Sequence, residues 1–343
     1  MSIFNIKEPA VPLGSWVVVS GASGFIGSHV VDQLLKAGYK VRGTTRDASK
    51  NSWATRHFNL VYGSGSFELI EVPDMSAPGA FDHVVSGAKG FIHVANDMTG
   101  STNPDVAIKR AVDGALNALK ACAQDGNVKR FVYTSSSFAA TQPKPGKRFT
   151  IYHDTFNEEA MQNAWKPNPD PSTVYSASRV EAERQTSAWI KDNESSLVIN
   201  AVLPNANIGP IINSSKQGYP TSAGWVKSLW DGDYDIVKKA PPQYYINVQD
   251  DARLHVIAMA HPNVELERLF AVAGPVSIGS IIDILRKLFP EKKWENVVEN
   301  EVDLSTFERM PRAEALLKEV YGTGFISLED SVRANAKDLA GRI

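Results

Sequence analysis

At 343 residues the chain is long enough for one large domain or two modest ones, and 43% hydrophobic with 22% charged residues fits a folded protein rather than a disordered one. A formal net charge of -2 predicts no preference for nucleic acid or an anionic membrane, which leaves a small molecule as the expected partner. The single cysteine, Cys122, excludes an intrachain disulfide and a Cys-based zinc cluster, so no metal site is expected and a reducing, cytoplasmic setting is. The opening MSIFNIKEPAVPLGS lacks a basic start and a long apolar run, and no apolar stretch elsewhere reaches the ~18 residues of a membrane span. Monomer and homodimer are both left open.

In chain order, WVVVS (16–20) reads as a buried strand, GFIGSHVVDQLLKAG (24–38) as a helix closed by Gly38, and YKVRGTT (39–45) as the next strand. FELIEV (67–72), GFIHVA (90–95), RFVYTS (130–135) and SLVINAVLP (196–204) continue the strands, with helical patterns at 107–124 and from Tyr175 to about Asp192. Such alternation specifies a doubly wound parallel α/β sheet of Rossmann type, because parallel neighbours require crossover connections. Beyond 204 the texture changes. Gly, Pro, Ser and Asn crowd 205–224, then come WVKSLWDG, PPQYYINV and helical patterns at 249–260, 277–289 and 328–340. The expected division is a dinucleotide-binding domain over 1–204 and, over 205–343, a smaller irregular lobe from which some segments return to the first domain.

SGASGFIGSHV puts Gly21, Gly24 and Gly27 after the first strand and at the start of the first helix. Missing side chains there permit a tight turn, close approach to a pyrophosphate and helix–strand packing, and the helix start offers N–H groups to an anion. Gly21, Ser23, Gly24, Phe25, Ile26 and Gly27 are therefore the candidate phosphate-loop contacts. An NAD site carries Asp or Glu about 20 residues further on. VRGTTRDASK instead offers Arg42, Arg46 and Lys50 around neutral Gly43 and Thr44, which suits the 2'-phosphate of NADPH, with Arg46 the main contact and Lys50 the second. Asp74 and Met75 end the third strand, where Asp74 either accepts from an adenine amino group or is the N-cap of the next helix. Ala95 is small enough to admit the ribose, and His93 reads as a packed core histidine rather than a base.

RFVYTSSSFAA brings serines to the carboxyl end of a strand, where open parallel sheets bind ligands. In VYSASRVEAE, Tyr175 and Arg179 lie one helical turn apart on one face. A cation so placed favours a phenolate, which helps a phenol act as a general acid when hydride reaches a carbonyl carbon.

Through GASGFIG, VRGTTRD, FVYTSSS, VYSASRVEAE, LPNANIGP and PPQYYINVQDDARLHV, nearly the whole chain resembles an extended short-chain dehydrogenase/reductase. It is most similar to the branch holding fungal NADPH-dependent aldehyde and ketone reductases and plant dihydroflavonol reductases. The resemblance implies that Ser136 polarises a substrate carbonyl, Tyr175 donates the proton, and Pro204 and Asn207 line the nicotinamide. Phe138, Trp225, Ala240 and Gln243 become substrate-pocket candidates by the same analogy. On composition alone, Trp225 reads as a core residue of its lobe ahead of a ligand contact.

The family pattern breaks at 179, where lysine is expected and arginine stands. Arginine supplies charge and hydrogen bonds but does not give up a proton. Three readings stay open: a reductase of aldehydes or ketones, an altered reaction such as imine reduction, and an NADP-binding sensor without turnover.

Overall fold

The alternating pattern resolves into crossover units. The computed structural model describes residues 4–297 and 301–341. β1 (Trp16–Ser20) leads through α1 (Phe25–Lys36) into β2 (Lys40–Thr45), and α2 (Ser52–Tyr62) leads into β3 (Phe67–Glu71). β4 (Ala88–His93), α3 (Pro104–Asp125) and β5 (Arg130–Thr134) follow. A short β6 (Thr150–Ile151) and α4 (Glu158–Asn163) precede the long α5 (Pro171–Asp192) and β7 (Val198–Pro204). α5 starts four residues before the expected Tyr175, because Asp170 caps it by accepting from Ser172 N and Pro171 takes the first helical position.

Beyond β7 lie β8 (Ala206–Ile208), α6 (Ser214–Gln217), α7 (Ala223–Asp231), α8 (Tyr234–Val237) and β9 (Gln243–Asn247). Then come α9 (Val248–Ala260), β10 (Arg268–Ala271), β11 (Gly274–Val276) and α10 (Ile278–Leu288). β12 (Thr306–Phe307), α11 (Met310–Tyr321) and α12 (Leu328–Ala340) complete the chain's elements.

Seven parallel strands form the central sheet in the order β10-β7-β5-β4-β1-β2-β3. One face packs α1, α9 and α11 through Val30, Leu34, Leu254, Ile257, Leu316 and Val320. The other packs α3 and α5 through Ala115, Leu119 and Ala182. Burial from both sides is why Val17, Val18 and Val19 form a continuous apolar run instead of alternating. The connection order reverses between β1 and β4, so the ligand crevice of such a sheet falls at the carboxyl ends of these two strands.

The chain does not leave this sheet for good at 204. β10 pairs with β7, α9 packs on α1, and α11 packs on β10. The separate lobe is a three-stranded sheet, β11-β9-β8, with α7, α10 and α12 around a core holding Ile208, Val226, Leu229, Ile281 and Val332. Among the described residues no helix is long and apolar enough to cross a membrane, and no three His, Cys, Asp or Glu residues group as metal ligands.

Candidate active site

Gly21 leaves β1 with φ 68°, and a Cβ there would stand 3.1 Å from the Ala95 Cα, so the turn after β1 and the end of β4 touch only because residue 21 has no side chain. Gly24 is exposed and extended, and no side chain caps α1 or places a negative charge in its first turn. The opening N–H groups of α1, at Phe25, Ile26 and Gly27, thus keep the anion-binding potential of a helix start. The phenyl ring of Phe25 packs with Ala223 and Val248, and Ile26 lies against the same cluster, so both side chains are engaged in packing. Ser23 Oγ lies 3.1 Å from Thr45 Oγ1, which also accepts from Asn51 Nδ2 at 2.9 Å. That chain ties the glycine loop to the end of β2.

Around β2 the three cations separate. Arg42 corrects the sequence reading. It pairs with Glu68, its register neighbour on β3, donates to Val84 O at 2.6 Å and Ser86 O at 2.8 Å, and lies over Trp16, which makes it a structural tie. Lys50 is exposed and paired with Asp47 at 3.2 Å. The Arg46 side chain is exposed and has neither an ion pair nor a hydrogen bond among the described residues. Asp74 Oδ1 accepts from Ser76 Oγ at 2.6 Å and Ser76 N at 2.9 Å, and these bonds hold its carboxyl below the usual range. Asp74 therefore closes a turn with one oxygen. Met75 packs on Gly114 of α3, and its carbonyl accepts from Asn117.

At the end of β5 the serines take different parts. Ser135 Oγ donates to Glu183 Oε2 at 2.7 Å, and Glu183 pairs with Arg268 of β10, so Ser135 is a buried tie between strand and helix. Ser136 Oγ accepts from Phe138 N at 3.2 Å and lies 3.5 Å from Pro204 O. The short turn it caps (Ser137–Ala139) sets the Phe138 ring edge-on to Tyr175, with centroids 6.5 Å apart. Tyr175 is half-buried, and its hydroxyl has no partner among the described residues.

Arg179 is 2% exposed. Its guanidinium lies 5.7 Å from the Tyr175 ring and 5.6 Å from the Tyr133 ring, with Nη2 donating to Asn96 Oδ1 and Nη1 to Thr134 O at 3.5 Å. Sequence reasoning missed Asn96 and Tyr133; the signal for Asn96 was a polar residue directly after HVA in HVAND. Asn96 follows Ala95, which abuts Gly21, so residues 95–96 join the glycine loop to the tyrosine–arginine pair. His93 lies just before them, ringed by Phe81, Phe91, Phe131 and Tyr133, with Nδ1 3.0 Å from Ser20 Oγ. Burial, then the Arg179 charge, hold its imidazole down at about 3, so it is a neutral packed residue.

The remaining candidates scatter. Pro204 ends β7 beside Ser136, and the Asn207 backbone carbonyl accepts from Ser222 Oγ at 2.8 Å. Trp225 is partly buried against the core of the C-terminal lobe. Ala240 lines a cavity of about 650 Å³ with Lys238, Pro241 and Ile278, a space whose walls do not include Tyr175 or Ser136. Gln243 is buried and donates to Pro241 O at 3.1 Å.

A parallel sheet with this strand order, a glycine loop at the reversal point and a serine, tyrosine and cation along the same edge define a protein of the dinucleotide-binding dehydrogenase/reductase class. Residues 17–273 match the model of the NAD dependent epimerase/dehydratase family, and the chain belongs to that family, the extended short-chain dehydrogenases/reductases. It is 39% identical over 345 residues to Aldehyde reductase 2 of Sporidiobolus salmonicolor, covering 98% of each chain. It is 38% identical over 328 residues to Ketoreductase adrE of Penicillium rubens, covering 94% of this chain and 96% of that one. Its fold matches the crystal structure of Gre2 from Candida albicans in complex with NADPH, with a TM-score of 0.81 at 27% identity over 96% of this chain and 99% of that one.

Proposed function

We propose that the protein is an NADPH-dependent reductase that converts the carbonyl of an aldehyde or ketone into an alcohol. The observation that carries this reading is the half-buried Tyr175, its ring 5.7 Å from the buried Arg179 guanidinium and edge-on to Phe138 of the turn that Ser136 caps, in a chain whose 39%-identical relative is an aldehyde reductase. The uncapped N–H groups at the start of α1 and Arg46, unpartnered among the described residues, fit the pyrophosphate and 2'-phosphate of NADPH. Asp74 keeps one carboxylate oxygen for an adenine amino group, with Met75 beside it.

The cofactor supplies the hydride that reaches the carbonyl carbon. Ser136 Oγ donates to the carbonyl oxygen, and Tyr175 gives that oxygen its proton, so one hydride and one proton complete the alcohol. Arg179 contributes positive charge beneath the phenol and cannot pass on a proton, so Tyr175 is recharged by a route that bypasses residue 179. Phe138, Pro204 and Asn207 border the reacting centre, and the lobe carrying Trp225, Ala240 and Gln243 shapes the rest of the substrate site.

The test is NADPH consumption with a panel of aldehydes, aryl ketones, ketoesters and imines. Carbonyl-dependent consumption is expected, and Tyr175→Phe is expected to lower kcat by about 10²- to 10⁴-fold. Consumption with imines alone, or tight NADPH binding with no turnover of any substrate, overturns the reading.

A further inference from the structure

A buried guanidinium is ordinarily met by a carboxylate. Among the described residues Arg179 has no ion pair. The acid one helical turn along α5, Glu183, is taken by Arg268 and Ser135. The acceptors Arg179 does have are neutral: the amide oxygen of Asn96 and the carbonyl of Thr134. Its Nε is buried without an acceptor.

We propose, resting on the reductase reading, that Asn96 is a positioning residue for Arg179: its neutral amide oxygen pins the guanidinium under the Tyr175 ring without cancelling the positive charge. Two features make the amide the deciding contact. The bond to Thr134 O is long at 3.5 Å, so Asn96 makes the closer of the two bonds that fix the plane of the fork. Asn96 is also adjacent to Ala95, so the pin is set by the same turn that meets Gly21 in the glycine loop. A carboxylate at 96 would make the same contact and remove the net charge. A methyl group there would leave the charge and remove the contact.

The other titratable groups around Arg179 are accounted for. From β4 and β5 it meets His93, held neutral, and Tyr133, whose phenol burial pushes up. From α5 it meets Tyr175, and Glu183 one turn further on is held by Arg268 and Ser135. Asp97, next to Asn96, is paired with Arg110 at 3.4 Å, and His255, behind Thr134, bonds Thr134 Oγ1 at 2.9 Å and lies 3.3 Å from Asp251 Oδ1. Among these, Tyr175 alone combines a ring stacked on Arg179 with a solvent-reaching hydroxyl, so its ionisation reports the charge at 179.

The experiment compares Asn96→Asp, Asn96→Ala, Arg179→Lys and Asn96→Ala/Arg179→Lys with the parent, each first shown to melt at the parent's temperature within a few degrees. Tyr175 ionisation is followed by tyrosinate absorbance, taken as the difference from the matched Tyr175→Phe protein, which needs no turnover. In Asn96→Asp the titration of Tyr175 is expected to move to higher pH, and the alkaline limb of kcat/KM for carbonyl reduction to move with it. In Asn96→Ala the titration is expected to stay in place while kcat falls roughly 10- to 100-fold, the range for losing a hydrogen bond to a charged group. That loss is expected to shrink at least threefold in the Arg179→Lys background, since the two residues act as a unit. An Asn96→Asp titration that coincides with the parent's, or an Asn96→Ala loss that is the same with Arg or Lys at 179, overturns the inference. A parent that consumes no NADPH with any carbonyl, while the Asn96→Asp titration still moves to higher pH relative to it, overturns the reductase reading instead.

Discussion

Replacing Gly27 by alanine tests whether α1 must press on the turn after β1 for the phosphate site to exist. The added Cβ would lie 2.1 Å from Gly21 O and 2.8 Å from Gly21 C. An ordinary carbon–oxygen contact is about 3.3 Å, so the start of α1 must withdraw by roughly 1 Å. It has nowhere to go cheaply, because Val30, Val31 and Leu34 on the same helix are fully buried and α9 packs against it. Overpacking of this kind costs about 1–3 kcal/mol, while alanine in a helix returns about 1 kcal/mol over glycine, so a net loss of up to about 2 kcal/mol in stability is expected. Binding suffers more. Two N–H bonds to a pyrophosphate stretched by that distance forfeit about 3 kcal/mol together, close to a hundredfold in the NADPH Kd. Urea unfolding by tryptophan fluorescence and NADPH titration measure the two effects. Gly65→Ala is the control: its φ of 82° strains alanine in open space far from the loop, so it loses stability and keeps NADPH affinity. A Gly27→Ala protein that unfolds at the parent's urea concentration and binds NADPH within about twofold refutes the reasoning.

Two further outcomes are expected. Arg46→Ala should lower kcat/KM for NADPH about tenfold and leave NADH nearly unchanged, since an exposed phosphate contact is worth the low end of a charged hydrogen bond; equal losses with both cofactors would show that Arg46 does not read the 2'-phosphate. His29, whose Nε2–H donates to Pro210 O at 2.8 Å, is held down from 6.5 to about 4, chiefly by burial. Its folded form resists protonation, so the unfolded chain takes up the proton first: stability is full above pH 6.5, falls with acid, and levels off near pH 4, a span worth about 3 kcal/mol. Between pH 7 and pH 5, His29→Gln should therefore lose about 2 kcal/mol less in urea unfolding than the parent, and parallel losses would contradict the assignment.

What the sequence made legible is what one segment decides. The β1–α1–β2 unit announces itself through Val17–Val19, the glycines and the period of α1, and Tyr175 with Arg179 share a face because both sit on α5. The expected start of α5, at Tyr175, is four residues late, because it passes over the Asp170–Pro171 pair that opens the helix. α11 carries a clear helical period at Ala313, Leu316, Leu317 and Val320, but nothing in that pattern says it packs on the central sheet rather than in the lobe. β10 is similarly opaque, because RLFA is too short for periodicity to separate an edge strand from a loop. Arg42 misled because its partner, Glu68, is set opposite it by strand register, which is a property of the folded sheet. The partner of Arg179 is 83 residues away at Asn96, and no local rule connects them.

The arginine at 179 is best understood through what it does not touch. Removing a cation from water costs several kcal/mol even in a relaxed protein interior, and each aromatic face returns about 0.5–2 kcal/mol, so Tyr133 and Tyr175 do not offset the burial alone. A carboxylate would, and Glu183 is one turn away, but it is occupied by Arg268, which binds β10 to α5. The fold thus spends its nearby negative charge on architecture and leaves the guanidinium with neutral acceptors. Uncompensated charge in a buried site acts most strongly on whatever negative charge develops beside it, which on the proposed mechanism is the phenolate left when Tyr175 gives up its proton. A lysine could share that electrostatic part and also shuttle the proton. With arginine the charge is permanent, and on the proposed mechanism the proton needs a path that bypasses residue 179.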